Sequence, residues 1–538
     1  MQTKLSRKNL LQKTAQIASS TLLSRLLGLV REVLQIRYLG FGAIPDAFVT
    51  AFKIPNTLRK VFAEGALSAA FIPTFVSMLK KGEDKRQINK LITLTFVAFQ
   101  ISLFLFCFLI FCKTEFVLSI LVPGFHGERL AYAVQLTRVL IFFILFISSS
   151  ALFGGALNAV GHFFVPAFGQ VVINVVYIGG LLLCLFFKLP IYYLAYFILL
   201  AGFTQLIMHL IAYLKYDLSF ERPDEKTWHY FKQAVFKFLP VLFSTSIIEI
   251  NLWIDQAFAS YMKVGDVSLL SYSWGFTRIA LGVFAVAFST TLLPYFTRIA
   301  SYAPKRLSYY LLESTKFVLW VTLPVTIFMM SFSYKIFYTI FHCKDFCLDA
   351  VIRAQYIMIA FLIGLFFFSL NKILLNIYYG LHETFIPTLI SAGGTCVNTL
   401  LNFVLIKHLQ TYGLALATSL AAILQTIVFI YVLHKYYKFN LYINDFILFL
   451  MRLLLQMLFI CTVFATIYFG IYYLIDFLVT NNLLIKLPII DLVMNLNPRD
   501  FLINGLGLWM WVSPLAVFMF LLMYRTRKLF KLKIYFLN

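Results

Sequence analysis

LITLTFVAFQISLFLFCFLIFC, residues 91–112, is a run of 22 residues without one charged side chain. A helix needs about 20 mostly apolar residues to cross the hydrocarbon core of a bilayer. A strand of a membrane barrel would instead show about ten residues of alternating polarity. This stretch therefore predicts a transmembrane α-helix.

The rest of the chain resembles this stretch in composition. Of its 538 residues, 61% are hydrophobic and 12% are charged. A soluble domain carries about 25% charged residues, so this chain could not cover a water-facing surface of its size. We predict an all-α polytopic membrane protein with about 14 transmembrane helices. Their apolar cores lie at residues 14–37, 44–78, 91–112, 131–157, 165–187, 190–214, 236–262, 267–297, 308–337, 351–378, 386–406, 412–434, 446–475 and 501–524.

The cysteines and the start of the chain add two expectations. The seven cysteines follow no zinc-ligand spacing, and most lie in apolar runs, where we expect small buried hydrophobes. Cys343 and Cys347 flank a loop, so a disulfide between them stays an alternative. The basic start of the chain leads into a long helix without a small-residue cleavage site, so we expect no cleavable signal peptide.

The formal charge of +23 is distributed unevenly between the loops. If the N-terminus lies in the cytoplasm and the sides alternate, 24 lysines and arginines fall in cytoplasmic segments and 10 in the opposite ones. The positive-inside rule then predicts that both termini are cytoplasmic, which requires an even number of helices. Because the charge is scattered over many loops, we expect no nucleic-acid partner.

Two pairs of short segments indicate an internal duplication. Ala66–Pro73 (ALSAAFIP) resembles Ala287–Pro294 (AFSTTLLP), and Gly161–Pro166 (GHFFVP) resembles His382–Pro387 (HETFIP) less closely. The prolines of both pairs are 221 positions apart, which argues for a duplicated six-helix unit. The two copies begin on the same side of the membrane, so we predict two parallel lobes around a central cavity.

This duplication predicts the domain organisation. Residues 1–215 form an N-lobe with helices 1–6, and residues 216–440 form a C-lobe with helices 7–12. Residues 441–538 then contain helices 13 and 14 and a basic cytoplasmic tail. Rocking of two such lobes would give alternating access, and nothing in the sequence requires more than a monomer.

Eleven basic residues lie within or at the ends of the predicted helices, although a charge at the bilayer centre costs at least about 2.5–3.5 kcal/mol. Those near helix ends are expected to snorkel to the interface: Arg37, Lys60, Lys316 and Arg452. Arg25 and Arg31 lie about 9 Å apart along helix 1. Arg59 follows a break at Pro55 and Asn56, where the lost backbone hydrogen bond should kink helix 2.

The three arginines could flank one water-filled cavity, with Asp46 and Glu64 neutralising part of their charge. The competing interpretation is that ion pairs merely hold helices 1 and 2 together. A cationic cavity favours an anionic ligand, and arginine suits phosphate because its fork makes paired hydrogen bonds. Three arginines would suit a pyrophosphate. No P-loop is present, so transport must draw on an ion gradient, the membrane potential or substrate flux.

A membrane enzyme that acts on lipid phosphates would need a nucleophile or a metal cluster. The eight histidines are scattered, mostly near helix ends, and none forms an HExxH pair. We therefore expect that the protein is not an enzyme.

Several motifs resemble one family. Ser24–Arg31 (SRLLGLVR), Asp46–Phe48 (DAF), Phe52–Asn56 (FKIPN) and Arg59–Ala66 (RKVFAEGA) resemble the opening of the MurJ (MviN-type) lipid II flippases. That family belongs to the multidrug/oligosaccharidyl-lipid/polysaccharide exporter superfamily, and the resemblance covers essentially the whole chain. It implies a protein of the bacterial inner membrane that serves peptidoglycan biosynthesis, cell wall and cell shape. Its implied activity is to move lipid II from the inner to the outer leaflet.

The resemblance also assigns roles to particular residues. The essential cavity arginines of the family match Arg25, Arg31 and Arg59, and its acid between helices 1 and 2 matches Asp46. Helices 13 and 14 form a hydrophobic groove in the family, which would suit the lipid tail.

One position departs from the family pattern. The arginine that the family usually has on helix 8 corresponds to Gly275 here. Arg278, one turn further on, is expected to supply that charge, and Lys372 on helix 10 is a second candidate.

Some family members carry a sodium site in the C-lobe. Its side-chain positions match Asp255, Asn398, Asn402 and Thr418, and such oxygen ligands suit a hard cation. The alternative is interhelical hydrogen bonding by buried asparagines, which is common in membranes. Apart from sodium, no cofactor is expected.

Two related functions stay open. The chain could be a flippase for another polyprenyl-linked saccharide, or a cation-coupled drug antiporter of the same fold. A drug antiporter should have an acidic or aromatic cavity, which the arginines of helices 1 and 2 disfavour. For a flippase, the partners are a lipid-linked pyrophosphate and the membrane lipids.

Overall fold

A computed structural model describes residues 7–62, 71, 74–75, 78, 84–160, 162–216, 218–282, 287–341, 348–481 and 498–537. Glu64, Cys343 and Cys347 lie outside the described residues, as does most of the segment 66–73. The chain packs as two compact units, Met1–Ser271 and Tyr272–Asn538. The predicted lobe boundaries follow the sequence repeat rather than the packing, and they stay a prediction.

The first unit is built from long helices. In chain order they are α1 (Arg7–Leu39), α2 (Ala43–Leu58), α3 (Lys85–Cys112), α4 (Thr114–Leu121), α5 (Gly127–Leu140), α6 (Phe143–Ala159), α7 (Phe164–Phe187), α8 (Ile191–Lys215) and α9 (Glu225–Ser260). α1 packs along α7, α2 packs on α5, and α9 packs on α3. α10 (Asp266–Leu281) begins in this unit and ends in the next.

The second unit continues with further helices. They are α11 (Ala287–Tyr302), α12 (Leu307–Phe341), α13 (Leu348–Ile363), α14 (Leu365–Gly380), α15 (Phe385–Tyr437), α16 (Ile443–Thr480), α17 (Pro498–Ile503) and α18 (Leu506–Thr526). Gln410 interrupts α15 with a φ of 49° and a ψ of −135°. This break lies between the predicted cores 386–406 and 412–434, so one continuous run contains two predicted helices.

The all-α polytopic fold class is confirmed, because the described residues of the predicted apolar cores lie almost entirely in helices. Within the described residues, nine helical stretches are long and apolar enough to cross a membrane. Neither α1 nor α2 is among them. These two helices carry Arg25, Arg31 and Asp46, and Arg59 follows α2.

The weaker of the two sequence repeats occupies equivalent structural positions. Pro166 is the third residue of α7, and Pro387 is the third residue of α15. A proline in the first turn of a helix has no intrahelical hydrogen bond to lose, and its fixed φ is already helical. The repeat therefore marks the start of a helix in both copies.

Helices α12, α16 and α18 are joined in the second unit by one buried amide. Gln456 of α16 accepts a hydrogen bond from Trp320 Nε1 of α12 at 3.3 Å. Its Nε2 donates to the Met523 carbonyl at 2.8 Å and to Thr526 Oγ1 at 3.0 Å, both on α18. Trp320 and Gln456 are almost completely buried. One side chain thus fixes the register of three helices.

We predict that Gln456→Leu destabilises the second unit by about 1–3 kcal/mol, because the Trp320 indole N–H is then buried without an acceptor. Thermal unfolding of the purified protein measures this loss. Leu458→Ala on the same helix is the control, since Leu458 is 67% exposed and contributes little to the packing. Equal effects of the two substitutions would show that the amide has no special role.

Candidate functional site

Arg31 of α1 is held by a side-chain amide of α7. Its Nη1 donates to Asn174 Oδ1 at 3.1 Å. Asn174 Nδ2 donates to the Ser24 carbonyl at 3.0 Å, two turns earlier on α1. The amide is 5% exposed. Asn174 therefore fixes the register of α1 on α7 and orients the Arg31 guanidinium with a neutral acceptor, which does not cancel its charge.

The surroundings of α1 complete this arrangement. The Arg31 guanidinium lies 5.4 Å from the centre of the Tyr177 ring. Tyr177 donates its hydroxyl to Gln35 Oε1 at 2.8 Å. Arg25 lies six residues before Arg31 on α1, and its side chain is exposed. The structure thus holds Arg31 against α7 and leaves the Arg25 side chain exposed.

Arg59 follows α2, where the backbone widens into a π-helical turn over residues 59–62. Helix α2 runs through Pro55 to Leu58 before this turn. Arg59 Nε donates to Asn56 Oδ1 at 3.2 Å, so an amide again orients the guanidinium. Turns of this kind frequently occur at functional sites.

Lys53 of α2 and Lys60 in the π-helical turn after it contact α9. Lys60 Nζ lies 3.0 Å from Glu249 Oε1, and Lys53 Nζ donates to the Leu252 carbonyl at 2.7 Å. Lys53 also lies 4.8 Å from the centre of the Trp253 ring. Lys60 thus has a carboxylate partner where we expected snorkelling. Sequence reasoning missed Glu249, although a single acid within an apolar stretch is a recognisable signal.

Asp46, predicted to bind substrate, is completely buried. Its Oδ2 lies 3.0 Å from Arg129 Nη2 and accepts from Gly265 N at 2.7 Å, while Oδ1 accepts from Ser268 N at 2.8 Å. Arg129 Nη1 also donates to the Ser260 carbonyl at 3.4 Å. This geometry ties α2, α5 and the α9–α10 connection together. It favours a structural role for Asp46. Nothing in the sequence analysis singled out Arg129.

Gly265 lets this connection approach the carboxylate. Its φ of 96° lies in the region that only glycine adopts readily. A Cβ at this position would lie 1.9 Å from the Phe41 ring. The tight backbone is therefore what allows the Gly265 N–H to reach Asp46.

The predicted residues of the second unit lie apart along its sequence. Arg278 has an exposed side chain in the last turn of α10, and Lys372 is half-buried on α14. The Lys372 carbonyl accepts a hydrogen bond from Ser289 Oγ at 3.3 Å. Gly275, which stands at the family's arginine position, is buried.

The side chains predicted to bind sodium partly share one helix. Asn398 and Asn402 lie one turn apart on α15 and are 1% and 0% exposed, and Thr418 follows the break at Gln410. Thr418 Oγ1 donates to the Leu414 carbonyl at 3.0 Å. These neutral oxygen-bearing groups suit a hard cation. Asp255 belongs to the first unit, where it is 8% exposed.

Comparison with known sequences identifies relatives along most of the chain. A family model described as "Lipid II flippase MurJ" matches residues 36–488. The "Probable lipid II flippase MurJ" of Buchnera aphidicola subsp. Schizaphis graminum is 30% identical over 459 residues, which cover 84% of this chain and 88% of the relative. The "Lipid II flippase MurJ" of Burkholderia cenocepacia is 28% identical over 435 residues, covering 79% and 84%.

Solved structures show the same fold. A structure titled "Lipid II flippase MurJ, inward closed conformation" superimposes with a TM-score of 0.74 at 22% identity, covering 95% of this chain and 99% of the other. An inward-facing multidrug resistance MATE family transporter of the MOP superfamily gives a TM-score of 0.67 at 15% identity, covering 76% and 93%. At these identities the likeness concerns the fold alone.

We predict that Arg129→Gln destabilises the first unit by about 3–5 kcal/mol, because it leaves the buried Asp46 carboxylate without its cation. Asp46→Asn should cost less, because Asp266 still attracts the Arg129 guanidinium. The double variant should recover part of this loss. A double-mutant cycle of thermal stability measures the coupling. The control is Asp349→Asn, since Asp349 pairs with Arg353 at 3.0 Å with a side chain that is 61% exposed. Additive losses at Asp46 and Arg129 would contradict the buried pair.

Proposed function

Because this chain belongs to the lipid II flippase MurJ family, we propose that it moves lipid II from the inner to the outer leaflet by alternating access. Lipid II is the peptidoglycan precursor linked to undecaprenyl pyrophosphate. The protein is a multi-pass membrane protein with a lipid-linked substrate, and membrane lipids surround it. The charge distribution of the loops supports cytoplasmic termini in the bacterial inner membrane, and a single chain would suffice.

The observation that carries this proposal is how Arg31 and Arg59 are held. Asn174 accepts one hydrogen bond from Arg31, and Asn56 accepts one from Arg59. Each guanidinium has five N–H donors. An amide acceptor orients the fork without contributing a negative charge, and a guanidinium binds phosphate oxygens through paired N–H donors. With the exposed Arg25, these groups supply three positive charges for a pyrophosphate.

The remaining predicted residues take supporting roles. Arg278 and Lys372 would supply cationic contacts from the second unit, since both have accessible or partly accessible side chains. Asp46 would hold the first unit in shape rather than contact the substrate. This cationic set disfavours a drug-cation antiporter, although that class shares the fold. We propose no catalytic step, because moving a lipid breaks no covalent bond.

We predict that Arg25→Ala, Arg31→Ala and Arg59→Ala each reduce transport at least about tenfold, since a charge-assisted contact contributes about 1.5–3 kcal/mol. The measurement is rescue of a bacterium depleted of its own lipid II flippase. In the same cells, lipid II reaching the outer leaflet is detected with an enzyme added outside. Lys113→Ala is the control, because Lys113 is exposed between α3 and α4. Normal transport by all three arginine variants would remove the binding role.

We further predict that Asn174→Asp strongly impairs transport while the protein still folds. The new carboxylate keeps the acceptor for Arg31 but cancels its charge. It also loses the hydrogen bond to the Ser24 carbonyl, and the ion pair with Arg31 offsets this loss and the burial of the acid. The matched variant Asn174→Leu removes the acceptor instead and should lower thermal stability. Full transport by Asn174→Asp would mean that the Arg31 charge is not used.

Sodium binding in the second unit is a separate proposal. Asn398, Asn402 and Thr418 would hold the ion. Its binding would couple transport to a sodium gradient, which supplies the energy. We predict that NaCl, but not KCl, raises the thermal stability of the purified protein, by about 2.7 kcal/mol at 100 times the dissociation constant. Asn402→Leu should abolish this difference. Equal effects of both salts on the unchanged protein would rule out the site.

A further inference from the structure

An apolar groove of about 570 Å³ opens in the second unit between α12, α16 and α18. Its walls include Pro324 and Phe328 of α12, Met457 and Phe464 of α16, and Met519 of α18. The volume falls in the range of small-molecule sites, about 300–1,000 Å³. The groove is therefore large enough for part of a lipid, and the cationic residues of α1 and α2 are not part of it.

One face of α18 leads from this groove to an arginine. Ala516, Phe520 and Met523 line the groove and are spaced by three or four residues. Residues with this spacing lie on one face of a helix. The next position on the same face is Arg527, which caps the end of α18. The apolar stripe thus ends in a positive charge.

The Arg527 side chain is buried, and no carboxylate of the described residues pairs with it. The residue is 6% exposed, and its Nη1 has no hydrogen-bond partner within the described residues. The guanidinium lies 4.5 Å from the centre of the Tyr524 ring. Leaving a buried charged donor unsatisfied is costly, so this position calls for an acceptor that the described residues do not supply.

The segment after α18 fixes further basic groups around this position. Leu532 N donates to the Arg527 carbonyl at 2.9 Å, and Lys531 N donates to the Lys528 carbonyl at 3.1 Å. Arg452 Nη1 of α16 donates to the Lys531 carbonyl at 3.2 Å. Leu532 and Ile534 are buried in the core that α12, α16 and α18 share. Residues 528–534 are therefore fixed against this core, and the side chains of Lys528 and Lys531 are exposed.

We propose that this groove binds an anionic glycerophospholipid of the membrane, with an acyl chain along the groove and the phosphate at Arg527 and Arg452. Both guanidinium groups keep N–H donors for phosphate oxygens, which arginine binds in paired fashion. The exposed lysines add attraction for an anionic headgroup. The tail of the transported substrate is the competing occupant. It would leave Arg527 without an anion, because the substrate pyrophosphate is assigned to the arginines of the first unit.

Native mass spectrometry of the purified full-length chain tests this site with three probes. They are dioleoyl phosphatidylglycerol, zwitterionic dioleoyl phosphatidylcholine, and undecaprenyl phosphate. We expect phosphatidylglycerol to bind about tenfold more tightly than phosphatidylcholine, and Arg527→Gln to remove that difference. Arg525→Gln is the matched control, since Arg525 is exposed and carries the same charge two residues away. It should change the affinity by less than about twofold.

Two further variants keep the test decisive. Arg527→Lys retains the charge and should retain the preference for phosphatidylglycerol, which covers the case in which Arg527→Gln does not fold. Ala516→Phe fills the groove without changing a charge and should weaken phosphatidylglycerol binding about tenfold. Unchanged binding by Ala516→Phe, or equal losses from Arg525→Gln and Arg527→Gln, would overturn the site. Tighter binding of undecaprenyl phosphate with the same Arg527 dependence would assign the groove to the polyprenyl tail instead.

Discussion

The cost of placing charge in a membrane governs how this chain packs. Desolvating an ion costs several kcal/mol, and lipid offers no water to compensate. Asp46 with Arg129, Lys60 with Glu249, and Lys316 with Glu313 show one solution, since each pair brings opposite charges within about 3 Å. Two of these pairs join helices that are far apart in sequence. Charge pairing therefore helps to decide which helices become neighbours, and apolar packing then completes the contact.

The same constraint separates structural from functional cations. Where a carboxylate is the partner, as for Arg129, the charge is neutralised and the pair fixes the fold. Where a neutral amide accepts from the guanidinium, as Asn174 does from Arg31 and Asn56 from Arg59, the hydrogen bond orients the group and adds no opposing charge. A flippase needs the second arrangement, because it must bind a pyrophosphate and then release it. Arg527 is a third case, in which the described residues supply no acceptor for a buried donor.

The long apolar helices, the break within α15 and the arginines of α1 could be predicted from local sequence. An apolar run of about 20 residues has few alternatives in a bilayer, because every backbone polar group must be bonded internally. The partners could not be predicted. Asn174 lies 143 residues after Arg31, and Glu249 lies 189 residues after Lys60. No local periodicity connects such positions, and Asn174 shares a largely apolar run with a second amide, Gln170. Lys316 is different, because its partner Glu313 lies three residues earlier on the same helix, a spacing that can be read from the sequence, although snorkelling was expected.

The sequence by itself determined that this protein is helical, spans a membrane and carries excess positive charge on its first two helices. These properties follow from composition and from spacing along one helix, which are local. Only the tertiary structure decided what each charge does, because that depends on which atom lies within about 3 Å of it. From the sequence, Asp46 was a candidate substrate ligand, but in the structure it is buried and paired with Arg129. Arg527 was one basic residue among five near the end of the chain, and the structure shows it buried with an unsatisfied donor among the described residues. Burial and the identity of the nearest acceptor separate them, and both arise only when distant segments pack together.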